Sequence, residues 1–97
     1  MTTELSKRAQ ADLENIWQYG AERWSIDRSD AYQRELADTL GRCADYPEIG
    51  VAQPAFGKNV RTIVSGSHIV FYRPVKGGIY VIRILHQMQD GKHHLLK

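Results

Sequence analysis

Residues 68–86 read HIVFYRPVKGGIYVIRILH, and this stretch decides the fold. Its β-branched and aromatic residues predict strands at 68–73 and 79–86, because such side chains fit a pleated sheet. The turn residues at 76–78 join the two strands as an antiparallel pair. A further strand predicted at 60–64, followed by a turn at 65–67, completes a three-stranded meander.

Upstream of the meander, the period of the apolar residues changes to that of two amphipathic helices. After Ser6, a suitable N-cap, apolar residues recur at spacings of three and four up to Trp24. A second helix is expected from about Asp27 to before Pro47, followed by an irregular connection. The sequence therefore predicts one domain over 1–97 with an α+β fold, in which an N-terminal helical hairpin packs on a small antiparallel sheet. Thr2–Leu5 could add an edge strand, and 92–96 a short C-terminal helix.

Composition limits the class of protein. The 97 residues are 42% hydrophobic and 25% charged, as expected of one folded domain. The charges among the first twenty residues do not suit a signal peptide, and no apolar run is long enough for a transmembrane helix. Cys43 is the one cysteine, so we expect a cytoplasmic protein without disulfides, with Cys43 as a small core residue.

The charge is unevenly distributed. Residues 1–48 hold six Lys/Arg against ten Asp/Glu, whereas residues 49–97 hold seven Lys/Arg against Asp90 alone. The second half also holds all four histidines. This segregation predicts a basic face for an anionic partner, with ordinary solvated lysines as the alternative.

Arg83 and His86 are unusual in so apolar a strand. Strict alternation places Arg83 on the face opposite Tyr80; if the Tyr80 face is the core, Arg83 lies on the open face, where Arg61 or Arg73 could join it. A guanidinium held there would bind carboxylates or phosphates. The alternative is a structural arginine paired with a carboxylate of the hairpin or with a chain terminus.

Four segments in register carry a family resemblance: LSKRAQADLENIWQYGAERW, YPEIG, GSHIVFYR and VIRILHQMQDGKHHL. Together they span nearly the whole chain and resemble the ParE branch of the RelE/ParE toxin superfamily. The resemblance implies a helical hairpin on a twisted antiparallel sheet and the toxin role in a type II toxin–antitoxin pair. It also implies DNA gyrase as the target and a ParD-like antitoxin, with a ribbon-helix-helix portion and a flexible acidic tail, as the partner.

The same resemblance speaks against catalysis. Where RelE-type nucleases carry arginines, this sequence has Ile69 and, after the last strand, Met88, and no tyrosine follows Tyr80. His86, His93 and His94 could do acid–base work, but no second group at a suitable spacing supports them. His93 and His94 are adjacent and poorly placed to share a metal ion. We therefore expect no catalytic residue, no metal and no cofactor.

The sequence leaves three functional classes open. The first is an inhibitor that traps gyrase on cleaved DNA, the second an mRNA endoribonuclease of the RelE kind, and the third an inactive relative that only binds its antitoxin. The antitoxin tail is expected along the basic sheet and the groove of the hairpin. The candidate residues for binding the target or the antitoxin are Trp24, Arg61, Arg73, Arg83, His86, Met88 and His93.

Overall fold

Two helices and five strands follow one another along residues 1–89, the part of the chain that the computed structural model describes. In chain order the elements are β1 (Thr2–Leu5), α1 (Lys7–Arg23), α2 (Ile26–Asp45), β2 (Val51–Ala52), a 3₁₀ helix (Pro54–Phe56), β3 (Arg61–Ser65), β4 (His68–Val75) and β5 (Gly78–His86). The predicted α+β fold, the helical hairpin and the β3–β4–β5 meander are confirmed. The helix predicted at 92–96 lies outside the described residues.

Serine side chains begin both helices. The Ser6 Oγ accepts from the backbone N–H of Ala9, and the Ser25 Oγ accepts from that of Arg28, so each helix has a side-chain N-cap. Ser25 also explains why α1 and α2 are joined so tightly, with only Trp24 and Ser25 between them. The predicted start near Asp27 was therefore close, but the sequence reading missed this second cap.

The two helices cross at Gly20. A Cβ atom there would lie 2.7 Å from the Oγ of Ser29, and this Oγ donates a hydrogen bond to the carbonyl of Trp17 at 2.6 Å. The indole N–H of Trp17 in turn donates to a carboxylate oxygen of Asp30 at 2.7 Å. Glycine therefore permits the close contact, and Trp17 connects the two helices through its indole N–H and its carbonyl.

The sheet has the strand order β1-β5-β4-β3-β2. β1 is the predicted edge strand, but it pairs parallel with β5, so the sheet is mixed and not wholly antiparallel. The sequence reading also missed β2, which pairs with β3, and the 3₁₀ helix in the irregular connection. Both elements are too short to leave a periodic pattern.

Hydrophobic side chains cover both faces of the sheet. The hairpin packs on one face through a cluster that includes Leu36, Cys43, Tyr72 and Val81, which confirms Cys43 as a core residue. On the other face the 3₁₀ helix covers a smaller cluster of Val60, Phe71 and Leu85, against which Phe56 packs. No helix within residues 1–89 is long and apolar enough to cross a membrane.

A β-bulge in β5 changes the predicted facing of its side chains. Tyr72 pairs with Val81 and Phe71 with Arg83, so Ile82 is the extra residue. Ile79 and Val81 therefore lie in the hairpin-facing core together with Ile84, not with Leu85. The assumption that the Tyr80 face is the core is wrong for residues 79–81, because Ile79 and Val81 are the side chains buried under the hairpin. Beyond the bulge, Ile84 takes the core-facing position that strict alternation would give to Arg83.

Candidate functional site

A cleft opens between the helical hairpin and one end of the sheet, with a volume of about 480 Å³. We call it the hairpin–sheet cleft. The helices supply Asn15, Ile16, Tyr19, Trp24, Ser29 and Tyr32. The start of β4 and the end of β5 supply Ser67, His68 and His86. Its size falls within the range of sites that bind ligands or side chains of a partner, about 300 to 1,000 Å³.

Two aromatic side chains that line the cleft, Tyr19 and Trp24, also contact each other and two arginines. Tyr19 and Trp24 meet edge to face with ring centroids 6.4 Å apart. The guanidinium carbon of Arg23 lies 5.4 Å from the Tyr19 ring centroid, and that of Arg28 lies 5.5 Å from the Trp24 ring. We call these four residues the hairpin tip. Trp24 is 53% exposed, and its role in binding a partner stays a prediction.

Tyr32, His68 and His86 meet at the base of the cleft. The hydroxyl of Tyr32 lies 2.6 Å from Nδ1 of His68 and accepts the backbone N–H of Ser67 at 2.9 Å. His68 and His86 pair across β4 and β5, and their rings stand edge to face with centroids 5.4 Å apart. Burial, and then the nearby His86, lower the pKa of His68, so that its imidazole is neutral at neutral pH. Burial raises the pKa of the Tyr32 hydroxyl.

Arg83 lies outside this cluster and is engaged by the hairpin. Its Nε and Nη2 donate to the two carboxylate oxygens of Asp12 at 2.8 and 2.9 Å. The same carboxylate accepts the backbone N–H of Ile84 at 2.9 Å. Asp12 therefore fills a hydrogen-bonding position at the edge of β5 beyond the end of β1. Of the two readings open from the sequence, the structural arginine paired with a hairpin carboxylate is the one observed.

Arg61 and Arg73 do not join Arg83. The guanidinium of Arg61 donates to the carbonyls of Glu48 and Gly50 and so holds the loop before β2. Arg73 is exposed, and its guanidinium carbon lies 5.5 Å from the ring centroid of Tyr80. The three arginines have separate partners, so the expected shared basic surface on the sheet is not formed by them.

Comparison with known proteins identifies the family of this chain. A family model described as the ParE toxin of the type II toxin–antitoxin system, parDE, matches residues 3–91. The chain belongs to the ParE toxin family of type II toxin–antitoxin systems. Toxin ParE1 of Caulobacter vibrioides is 41% identical over 91 residues, which cover 94% of each chain. Toxin ParE1 of Mycobacterium tuberculosis is 41% identical over 92 residues, again 94% of each chain.

A solved structure shares the fold of this ParE family member. The chromosomal ParDE system from P. aeruginosa contains a chain with a TM-score of 0.75, which matches 89% of this chain and 95% of its own length. The identity is 17%, so this likeness concerns the fold alone. The resemblance inferred from the four sequence segments is confirmed at the level of the family.

Of the remaining candidate residues of this ParE family member, two lie near the end of the described chain. His86 lines the cleft, whereas Met88 is 87% exposed just beyond β5. His93 lies outside the described residues. Their roles in binding stay predictions.

Sequence reasoning missed Tyr32, His68, Tyr19 and Asp12 as candidate functional or site-forming residues. Tyr32 stood in an apolar helical stripe and His68 at the start of a strand, and neither pattern by itself indicates a site. One signal was present: the turn residues after Val75 predict that the strands carrying His68 and His86 pair, but the bulge in β5 decides that these two histidines lie opposite each other.

Proposed function

We propose that this chain inhibits DNA gyrase by binding it and holding its cleaved-DNA state, and that it is not an enzyme. Membership of the ParE toxin family carries the proposal. A toxin of this kind acts where gyrase and its DNA are, so we place the protein in the cytoplasm. An inactive relative that only binds its antitoxin is the outcome to be tested against.

The chemistry of the hairpin–sheet cleft supports binding over cutting. Phosphodiester cleavage needs a cation or several donors directed at the phosphate to stabilise the charge that develops there. None of the nine described residues lining the cleft is an arginine or a lysine. The nearby guanidinium of Arg83 already has both carboxylate oxygens of Asp12 as partners.

A second candidate function rests on the Tyr32–His68–His86 cluster. A neutral imidazole bonded to a tyrosine hydroxyl can accept a proton, and a second imidazole beside it can donate one. An mRNA endoribonuclease of the RelE kind would use such a pair on a ribose hydroxyl and a leaving oxygen. The absence of a cationic side chain from the described lining makes this the weaker candidate.

We further propose a ParD-like antitoxin as the partner that neutralises the toxin. The hairpin tip combines tyrosine, tryptophan and arginine, the residue types that dominate binding energy at protein interfaces. The cleft beside it offers apolar walls to a helical or extended segment. An antitoxin tail that occupies the cleft and packs on Trp24 would also cover the tip, and so block its contact with the target.

Purified chain, free of antitoxin, is incubated with gyrase, ATP and supercoiled plasmid, and a parallel translation reaction is scored for cut mRNA. We expect linear plasmid trapped with gyrase and intact message. The matched control is Lys76→Ala, which removes a charge in the turn at the far end of the β4–β5 hairpin. Cut message with untouched plasmid would establish the nuclease instead, and no effect in either reaction would identify an inactive relative.

The variant Trp24→Ala then tests whether the hairpin tip is the surface that binds gyrase. If the hairpin tip binds gyrase, this variant traps less plasmid at equal concentration, whereas Lys76→Ala traps as much as the parent. Arg73→Ala and Met88→Ala test in the same way whether gyrase is bound by the exposed Arg73 on the sheet or by the exposed Met88 just beyond β5. Equal trapping by all of these variants would exclude the tip and both exposed positions as the gyrase surface.

A further inference from the structure

The hairpin–sheet cleft combines apolar walls with a base that can carry positive charge. Ile16, Tyr19 and Trp24 form the apolar side, and His68 and His86 lie at the base. None of the described lining residues is an aspartate or a glutamate. A ligand that suits both parts has an apolar group for the walls and an anionic group for the imidazoles.

Tyr32 allows His68 to change its protonation state without losing a hydrogen bond. When His68 is neutral, the Tyr32 hydroxyl donates to Nδ1 across 2.6 Å and accepts from the N–H of Ser67. When His68 is doubly protonated, Nδ1–H donates to the hydroxyl, which then donates to the Ser65 carbonyl at 3.2 Å. The hydroxyl proton only rotates between two acceptors that are both in place.

His86 is arranged differently. Its Nδ1 accepts the backbone N–H of Met88 at 3.1 Å, so the neutral ring carries its proton on Nε2. A second proton on Nδ1 would face that N–H. No hydrogen bond joins Nε2 of either His68 or His86 to another residue of the described chain, and both rings line the cleft. His68 is therefore the ring whose Nδ1 can take a second proton and keep a hydrogen bond.

The charged and titratable groups around His68 come from every packed element. From β5, His86 disfavours its protonation; from α1, Asp12 favours it, although its carboxylate is shared with Arg83 and the Ile84 N–H. From α2, Glu35 acts on Tyr32. Burial and these neighbouring groups together lower the pKa of His68 and keep it neutral in the free toxin at neutral pH. A carboxylate placed within the cleft would raise this pKa and favour the protonated ring.

We propose that the cleft receives an apolar side chain of the antitoxin together with a neighbouring carboxylate; this inference rests on the antitoxin partnership proposed above. The Nε2–H groups of His68 and His86 bind this carboxylate. His68 takes up a proton when the antitoxin binds. No covalent bond changes. The proton comes from solvent and goes to Nδ1 of His68.

The linkage between proton binding and antitoxin binding gives the direction in which the affinity changes with pH. The carboxylate raises the pKa of His68 in the complex above its value in the free toxin, so the complex binds more protons than its parts. Affinity is highest below the free-state pKa and declines as the pH rises through the pKa of the complex. A rise of about one unit corresponds to about tenfold tighter binding at the acidic end.

Calorimetric titration of this chain with a ParD-like antitoxin tests the proposal at about pH 6 and about pH 8, in two buffers that differ in ionisation enthalpy. We expect tighter binding at the lower pH, by up to about tenfold, with the heat depending on the buffer in the sense of proton uptake. The carboxylates of the antitoxin titrate near pH 4, outside this interval.

Three variants locate the proton. His68→Gln should keep binding at the higher pH and lose the increase at the lower pH. Tyr32→Phe, which removes the hydroxyl that exchanges partners, should reduce the increase and serves if His68→Gln does not fold. His86→Gln should weaken binding at both pH values. Lys76→Ala, the charge control, should leave the pH dependence unchanged.

The outcomes separate this inference from the function on which it rests. A complex with equal affinity at both pH values and no proton uptake overturns the inference and leaves the antitoxin partnership intact. No complex at either pH overturns the partnership and the inference together. Self-association that His86→Gln abolishes, without any change in antitoxin affinity, would assign the cleft to a second copy of the chain and also overturn the inference.

Discussion

Two pairs of side chains connect the helical hairpin to the sheet, and they differ in kind. Asp12 and Arg83 form an ionised pair with side-chain exposures of 12% and 15%, and Asp12 also binds a backbone N–H of β5. Tyr32 and His68 form a neutral pair at the base of an open cleft. The first pair has its main hydrogen-bonding capacity satisfied within the protein, whereas in the second the Nε2 of His68, a residue that lines the cleft, has no hydrogen bond to another described residue. This difference indicates that the Asp12–Arg83 pair stabilises the fold and the Tyr32–His68 pair is available for function.

Removing the carboxylate of Asp12 should give the largest loss of stability. Asp12→Ala leaves both the Arg83 guanidinium and the Ile84 N–H without their partner, and we expect a loss of about 2 to 3 kcal/mol. Urea denaturation monitored by tryptophan fluorescence measures it. Glu14→Ala, an exposed carboxylate on the same helix, is the control and should stay within about 0.5 kcal/mol. Equal losses for the two variants would remove the distinction drawn here.

Removing the hydroxyl of Tyr32 should have a smaller effect. Tyr32→Phe keeps the ring in the core but leaves the Ser67 N–H and Nδ1 of His68 without their partner, at a cost of about 1 to 2 kcal/mol. Tyr46→Phe is the matched control, because Tyr46 is 68% exposed. Thermal unfolding of both variants compares them. A loss as large as that of Asp12→Ala would mean that the neutral pair is as structural as the ionised one.

The neutral pair should also make stability depend on pH. Burial lowers the pKa of His68 in the folded state, so the unfolded chain binds the proton more readily. Stability is fully present above the unfolded value, near pH 6.5, and declines as the pH falls towards the folded-state pKa. Denaturation midpoints on either side of this value measure the decline, and His68→Gln should flatten it. A decline unchanged in that variant would assign it to other groups.

Trp24→Ala should change stability least and binding most. More than half of the Trp24 surface is exposed, so we expect at most about 1 kcal/mol of destabilisation. As a central anchor of an interface, the indole should contribute about 2 kcal/mol of antitoxin affinity, or roughly 30-fold. Urea denaturation measures the change in stability, and calorimetric titration of the folded variant with the antitoxin measures the change in affinity. Unchanged affinity would exclude the hairpin tip from the antitoxin interface.

The site was only partly predictable from sequence, and the bulge in β5 explains why. Without it, the register of Val75 with Gly78 would continue and place His68 opposite Leu85; with it, His68 lies opposite His86. Alternation of apolar residues does not reveal a bulge, because both Ile82 and Ile84 suit either face. The reading of Arg83 depended on the same feature and left its role open.

The sequence by itself determined the two helices, their first cap at Ser6, the β3–β4–β5 meander, the β1 edge strand and, through four segments in register, the family. These depend on local periodicity and turn chemistry, which short-range physics dictates. Tertiary structure alone decided that β1 pairs parallel, that Asp12 binds Arg83 and that Tyr32, His68 and His86 form the base of a cleft. Each of those contacts joins residues at least 18 positions apart, and its existence depends on how the hairpin packs over the sheet.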